Sequence, residues 1–192
     1  MGDFPFYYAQ LASFEAPKRS EGWVAIQNEQ LLTLSVKNTG MAVANDIGEL
    51  EDIHPHNKMD LGKRLAAWAL AKDYGFEMVA YSGPLYREHR IEGDRIIVTF
   101  DHVGSGLMSG VKNVLEPTQP SELPLQCFEI AGADGKWQPA VAQISSPTTV
   151  TLSHPAIAQP KQVRYAWAPY PEGANLYNKE GYPASVFSTA AR

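Results

Sequence analysis

The stretch that decides the fold runs from residue 41 to residue 58 and reads MAVANDIGELEDIHPHNK. Its first four residues, 41–44, are apolar and carry no alternating charge, which is typical of a strand covered on both faces in a parallel sheet. The loop that follows, residues 45–56, is rich in carboxylates and histidine. In parallel α/β sheets, functional groups collect in the loops beyond the carboxyl ends of the strands. We therefore expect the chemistry of this protein in that loop.

Strand and helix patterns flank this loop. The aromatic and aliphatic run over 4–12 predicts a strand, and apolar residues at helical spacing predict a helix over 20–34. A second helix is predicted from a cap at Asn57 to a left-handed end at Gly75. Its apolar residues share one face, and Arg64 is expected off that face with the lysines. Together these patterns predict β/α units of a parallel α/β domain over residues 1–76.

The rest of the chain, residues 77–192, has the pattern of an all-β domain. Short apolar runs alternate with Gly, Pro, Asp and Ser clusters, which predicts a sandwich-like arrangement. The predicted strands are 95–100, 125–130, 137–144, 148–152 and 163–167. The stretch 103–123, with its glycines and prolines, is predicted to be a long loop.

Composition excludes several classes of protein. The chain has 192 residues, 44% of them hydrophobic, and a formal net charge of −5 without any basic run, which gives a nucleic-acid partner no electrostatic support. No apolar stretch is long enough to span a membrane, and no signal peptide is visible at the start. The run that begins at Met1 reads like a strand from inside a domain. We therefore expect the chain to be part of something longer.

His54 is the candidate general base of the loop. A histidine beside a carboxylate can deprotonate a hydroxyl nucleophile, because the carboxylate fixes the ring tautomer and stabilises the imidazolium. The alternative from local pattern alone is that His54 is a polar loop residue next to a helix.

Several motifs, in order along the chain, resemble the sialate O-acetylesterases of the SGNH serine hydrolase superfamily. The main block is Asp52-Ile53-His54-Pro55 with Asn57-Lys58, followed by Gly62-Lys63-Arg64-Leu65-Ala66. Other matching stretches are Pro5-Phe6-Tyr7-Tyr8, Asn38-Thr39-Gly40-Met41-Ala42-Val43, Asp46-Ile47-Gly48, Ser82-Gly83-Pro84-Leu85-Tyr86, Val163-Arg164-Tyr165-Ala166-Trp167 and Asn175-Leu176-Tyr177-Asn178.

This resemblance implies the carboxy-terminal part of a serine enzyme that removes acetyl groups from sugar hydroxyls. Residues 1–76 are then the end of a doubly wound SGNH domain, and His54 is the base of its triad. Asp52 ranks first as the carboxylate partner of His54, and Glu51 ranks second. The family's Gly-Gln-Ser nucleophile motif and its oxyanion hole are not found in the sequence. This chain alone is therefore expected to be inactive.

The resemblance also sets expectations for cofactors, partners and location. His54 and His56 beside Asp52 and Glu51 could form a metal site, but Pro55 restricts the backbone between the histidines and the family chemistry needs no metal. We predict no metal and no organic cofactor. The expected partners are an acetylated sugar and the amino-terminal part of the same enzyme, with self-association through the exposed edge of the first strand. Family members are commonly secreted or periplasmic.

A second hypothesis treats the chain as a stand-alone carbohydrate-binding or structural β module without catalysis. Aromatic residues near its end could form a platform that stacks on sugar faces. They could equally fill the core of the β domain, as aromatic strand residues usually do. These residues are Trp137, Tyr165, Trp167, Tyr170, Tyr177 and Tyr182.

Overall fold

The computed structural model describes residues 3–15 and 20–190. Within them the fold is mixed α/β, with two α-helices and mostly antiparallel sheets. The helices are α1 (Ser20–Leu32) and α2 (Lys58–Lys72), and a short 3-10 helix covers Thr33–Ser35. The strands are β1 (Phe6–Ala9), β2 (Thr39–Ala42), β3 (Leu85–Glu92), β4 (Arg95–Asp101), β5 (Leu107–Val111), β6 (Gln119–Pro120), β7 (Phe128–Ala131), β8 (Trp137–Pro139), β9 (Val141–Ser146), β10 (Thr149–Ser153), β11 (Gln162–Tyr165), β12 (Leu176–Asn178) and β13 (Phe187–Ser188). No helix in this part of the chain is long and apolar enough to cross a membrane.

The α/β part is built on one parallel strand pair. Strands β1 and β2 run side by side, with Ala9 opposite Ala42. Helix α2 packs against this pair, and the indole N–H of Trp68 donates to the carbonyl oxygen of Met41 at 2.9 Å. Gly40 allows this close approach, since a Cβ at that position would lie 2.6 Å from the Trp68 ring. Two parallel strands fit the predicted β/α units, but they do not by themselves make a doubly wound sheet.

Antiparallel sheets make up the remainder. Two have four strands, in the orders β3-β4-β10-β9 and β13-β11-β7-β8, and one has three strands in the order β12-β5-β6. The buried side chains of the two larger sheets form a single sandwich-like core. Tyr165 and Tyr177 are almost fully buried, so these two aromatics are core residues and not parts of an exposed platform.

Several predicted boundaries were wrong. The stretch 103–123 is not one long loop, because it contains β5 and β6. Its glycine at 110 is needed there, since a Cβ would lie 2.8 Å from the Tyr177 ring of the neighbouring strand β12. The predicted strand over 137–144 is two strands that break at Ala140, and β3 was not predicted. The predicted strand over 41–44 begins earlier, at Thr39.

The α/β and β parts are joined by polar contacts. The side-chain amide of Asn45 donates to the carbonyl oxygen of Ala184, and the backbone N–H of Phe14 donates to that of Pro169. Val24 of α1 belongs to the same core as the β strands. These contacts hold the carboxyl ends of β1 and β2 against the β part. The division at residue 76 into two domains stays a prediction.

Candidate functional site

The loop after β2 is anchored at its start by a buried ion pair. The guanidinium of Arg64 donates to both carboxylate oxygens of Asp46, at 2.6 and 2.7 Å, and also to the carbonyl oxygen of Val43. Burial acts to lower the pKa of Arg64, but the adjacent Asp46 carboxylate raises it, so the guanidinium stays charged. The prediction that Arg64 lies off the buried face of α2 was wrong. Its charge is buried because Asp46 is buried beside it.

The end of the loop is anchored at the first turn of α2. Asn57 caps the helix, as predicted, by accepting a hydrogen bond from the backbone N–H of Asp60 at 3.0 Å. Its side-chain amide donates to the carbonyl oxygen of Val114. Asp60 in turn pairs with the nearly buried ammonium of Lys112 at 2.6 Å. The loop is therefore fixed at both ends, and its middle is exposed.

Asp52 and His54 lie together in the exposed part of the loop. One carboxylate oxygen of Asp52 accepts the backbone N–H of His54 at 2.8 Å and lies 3.7 Å from Nδ1 of the His54 ring. The ring is 84% exposed. The backbone contact keeps the carboxylate beside the imidazole. At 3.7 Å the carboxylate and the ring nitrogen form an ion pair when the imidazole is protonated, but not a hydrogen bond.

His56 has a carboxylate partner that the sequence did not suggest. Both oxygens of Glu49 lie within hydrogen-bond distance of its Nδ1, at 2.8 and 2.9 Å, and one also accepts its backbone N–H. The hydrogen bond from the backbone N–H of His56, followed in size by the contact with its ring, lowers the pKa of Glu49. Residues 45–57 form neither a helix nor a strand, so no periodic pattern could have indicated this pair.

Glu51, the second-ranked partner of His54, is exposed. Within residues 3–15 and 20–190, its carboxylate makes no hydrogen bond or ion pair. The structure therefore brings Asp52, and not Glu51, next to His54 in the observed arrangement.

Three groups of this loop could together hold a cation. Glu49, Asp52 and His56 each place one ligand atom within 4.8 Å of the others. This set differs from the one considered from the sequence, because His54 and Glu51 are outside it. Exposed acidic groups commonly lie this close without a metal. The trio therefore does not by itself identify a metal centre.

The chemistry available at this loop is proton transfer. Two exposed imidazoles each lie beside a carboxylate, which is the arrangement of a general base with an orienting group. Neither imidazole is hydrogen-bonded to a serine hydroxyl among the described residues. Among the described residues, the loop therefore offers groups for proton transfer.

Comparisons with known proteins find similar chains among carbohydrate acetylesterases. The solved structure of a carbohydrate acetylesterase from Xanthomonas citri matches 98% of this chain with a TM-score of 0.86 and 37% sequence identity. Sialate O-acetylesterases of Rattus norvegicus and Mus musculus are 27% and 28% identical to this chain, each over 88% of it. The predicted relationship to the sialate O-acetylesterase family is therefore confirmed.

The chain spans 32% of the length of these two curated relatives and 41% of the Xanthomonas citri chain. No protein-family model matches it.

Proposed function

We propose that this chain is the acid–base part of a serine carbohydrate O-acetylesterase. A serine on an amino-terminal part of the enzyme attacks the acetyl carbonyl, and His54 accepts the serine proton. The C–O bond to the sugar then breaks, and His54 returns the proton to the sugar oxygen. Water next attacks the acetyl-enzyme with His54 as base, the bond between the acetyl carbon and the serine oxygen breaks, acetate leaves, and His54 returns the proton to the serine oxygen. The contact of Asp52 with both the backbone and the ring of His54 is the observation that supports this assignment.

His56 with Glu49 is the competing base. Its carboxylate contact, at 2.8 Å, is shorter than the 3.7 Å between Asp52 and His54. That double contact also holds the His56 ring against Glu49, whereas the His54 ring is free to turn toward a serine. We therefore propose His54 as the base and keep Glu51 as the second candidate for its carboxylate.

The remaining part of the enzyme would complete a doubly wound SGNH-type sheet. Strand β1 pairs only with β2 among the described strands, so its other edge can accept a further strand. Phe4 and Phe6 beside this edge are largely exposed, as expected for residues that another element covers in the whole protein. We propose residues 1–76 as the end of that domain, residues 77–192 as a β domain attached to it, and a secreted or periplasmic location.

Complementation tests this proposal. The chain is co-expressed with the segments of the Xanthomonas citri acetylesterase that it does not match, and the purified complex is assayed on p-nitrophenyl acetate. We expect hydrolysis well above that of either part alone, and loss of that gain in the His54→Ala complex. An inactive complex of confirmed 1:1 composition and native-like circular dichroism would contradict the proposal.

A further inference from the structure

A turn of the β part reaches the end of the histidine loop, residues 45–56. Lys112, directly after β5, places its ammonium 2.6 Å from the carboxylate of Asp60 in the first turn of α2. The same ammonium donates to the carbonyl oxygen of Glu116, which closes the turn 112–116. The side chains of Lys112 and Asp60 are only 6% and 14% exposed. Because the pair is largely shielded from water, salt screens it less than a surface ion pair.

Asn57 connects this ion pair to the histidine loop. Its side-chain amide donates to the carboxylate of Asp60 and to the carbonyl oxygen of Val114, both at 2.8 Å. Asn57 is buried, so these hydrogen bonds satisfy a polar group that water does not reach. Beside it, the backbone N–H of Lys58 donates to the carbonyl oxygen of His56 at 2.8 Å. The end of the histidine loop is therefore held by the turn 112–116 as well as by α2.

Val114 adopts an unfavourable backbone conformation in this turn. Its φ is 39°, in the left-handed region that β-branched residues rarely adopt. Its side chain is 80% exposed, so side-chain packing does not explain the conformation. The group that the turn uses is the carbonyl oxygen of Val114, which accepts from Asn57. Backbone strain of this kind persists where the surrounding structure requires it, and it is concentrated at functional sites.

His54 depends on the points at which its loop is fixed. Its own polar contacts among the described residues are both with Asp52, which lies in the same loop. These contacts set His54 relative to Asp52, but they do not tie either residue to the rest of the fold. Asn57, three residues after His54, is fixed by the β part. On the other side, the carbonyl oxygen of Leu50 accepts the backbone N–H of Glu15 at 3.1 Å.

We infer that Lys112 is a positioning residue of the proposed esterase. Through Asp60 and Asn57 it fixes the backbone that presents His54. The inference rests on the proposed function and adds to it a role for the β part in the acid–base geometry. Lys112 itself touches none of the groups that transfer the proton.

The exchange of the His54 backbone N–H with water tests this role in the ¹⁵N-labelled chain alone. This N–H donates to Asp52 at 2.8 Å, so its exchange reports on the arrangement of the loop. Lys112→Met should speed the exchange by about tenfold, the effect of losing one hydrogen bond to a charged group. Lys63→Met removes an ammonium that is 65% exposed and lies 3.7 Å from the same carboxylate, and it should leave the exchange unchanged. The buried Val98 amide of β4 reports whether the whole fold is intact.

Two further variants separate positioning from stability. In the double variant Lys112→Met with Asp60→Asn, no buried carboxylate is left without its partner, yet the ion pair to the β part is gone. Fast exchange at His54 should therefore persist while the Val98 amide is unchanged. Lys112→Arg keeps the charge and should restore slow exchange at His54. Slow exchange at His54 in the folded double variant would overturn the inference.

The complemented enzyme gives a second measurement. Lys112→Met should lower kcat on p-nitrophenyl acetate by about tenfold and change KM by less than about twofold, because Lys112 has no contact with the ester. Lys112→Arg should restore kcat. A merely structural role would reduce the amount of folded complex and not kcat per folded complex. The exchange experiment needs no turnover, so an inactive complex contradicts the proposed function and leaves the exchange result standing. An unchanged kcat in a folded Lys112→Met complex would overturn the inference.

Discussion

The guanidinium of Arg64 lies 2.6 Å from the carboxylate of Asp46, and the two side chains are only 6% and 3% exposed. Asp46 opens the histidine loop and Arg64 lies in α2, so the pair fixes the loop to the helix. The Tyr177 hydroxyl of β12 approaches the same carboxylate at 3.4 Å. The buried Asp46–Arg64 ion pair thus lies where the loop, the helix and the β part meet.

Breaking this pair should be strongly destabilising. Arg64→Met leaves the Asp46 carboxylate buried without its partner, and we expect a loss of about 3–5 kcal/mol in the free energy of unfolding, measured by urea denaturation. The double variant Asp46→Leu with Arg64→Met should recover much of that loss, because no charge stays buried. As a control, Arg90→Met removes an exposed pair with Glu92 and should cost less than about 1 kcal/mol. Equal costs for the two single variants would contradict the role of the buried pair.

Alanine substitutions at two glycines near the site should change the stability of the protein in opposite directions. A Cβ at Gly48 would lie 2.2 Å from the backbone oxygen of Ser13, so Gly48→Ala should destabilise the protein by about 1–3 kcal/mol. Gly62 lies inside α2 with open space around it, and Gly62→Ala should stabilise by about 0.5–1 kcal/mol through helix propensity. Thermal unfolding of both variants measures the two effects. A melting temperature for Gly48→Ala equal to that of the unmodified chain would show that the histidine loop can move away from Ser13.

Local signals in the sequence predicted helix α2 and its cap well. The cap residue Asn57 and the apolar residues of the helix lie within a few positions of one another in the sequence. Gly75, after the helix, has the expected positive φ of 75°. The existence of the histidine loop after a buried parallel strand was also predicted correctly, because strand and loop composition are local properties.

Contacts between residues that are far apart in the sequence or on different elements could not be predicted from such local signals. Strand β5 forms because β12, more than sixty residues later, pairs with it, and Gly110 provides room for the Tyr177 ring. The burial of Arg64 depends on Asp46, which lies on another element. The Glu49–His56 contact depends on the path of the loop. None of these contacts lies within a single helix or strand.

The Asp60–Lys112 pair should make stability depend on acid pH. Burial acts to raise the pKa of Asp60, but the hydrogen bonds from Lys112 and Asn57 outweigh it and lower the pKa below its ordinary 3.8. Because the folded-state pKa is the lower one, the pair contributes stability above pH 3.8, and that contribution is lost as the pH falls through the folded-state value.

Nuclear magnetic resonance titration of the Asp60 carboxyl carbon measures this shift. We expect a midpoint below 3.8 in the unmodified chain and a higher midpoint in Lys112→Met, which loses its stability at a correspondingly higher pH. Lys63 lies 3.7 Å from the same carboxylate but is 65% exposed, so Lys63→Met should move the midpoint much less. Identical midpoints in the unmodified chain and Lys112→Met would contradict this account.

The free edge of β1 should make the isolated chain self-associate. A strand edge that has no partner among the described strands, with the exposed Phe6 beside it, is a template for pairing with another chain. Phe6→Lys should shift the sedimentation velocity profile toward monomer at high concentration. Met78→Lys, which changes an exposed apolar residue outside any strand, should not. A strictly monomeric profile of the unmodified chain at the highest attainable concentration would contradict the prediction.

Substituting the two histidines of the loop should have very different effects on the activity of the complemented enzyme. If His54 is the general base, His54→Ala should lower kcat by about 10²–10⁴-fold, while His56→Ala should leave most of the activity. Asp52→Asn should lower kcat more than Glu51→Gln, because only Asp52 contacts His54 in the described structure. Steady-state assays on p-nitrophenyl acetate, with complex formation checked for each variant, measure these effects. The reverse order, with His56→Ala and Glu49→Gln as the damaging changes, would assign the base to His56, whose ring nitrogen already lies 2.8 Å from its carboxylate.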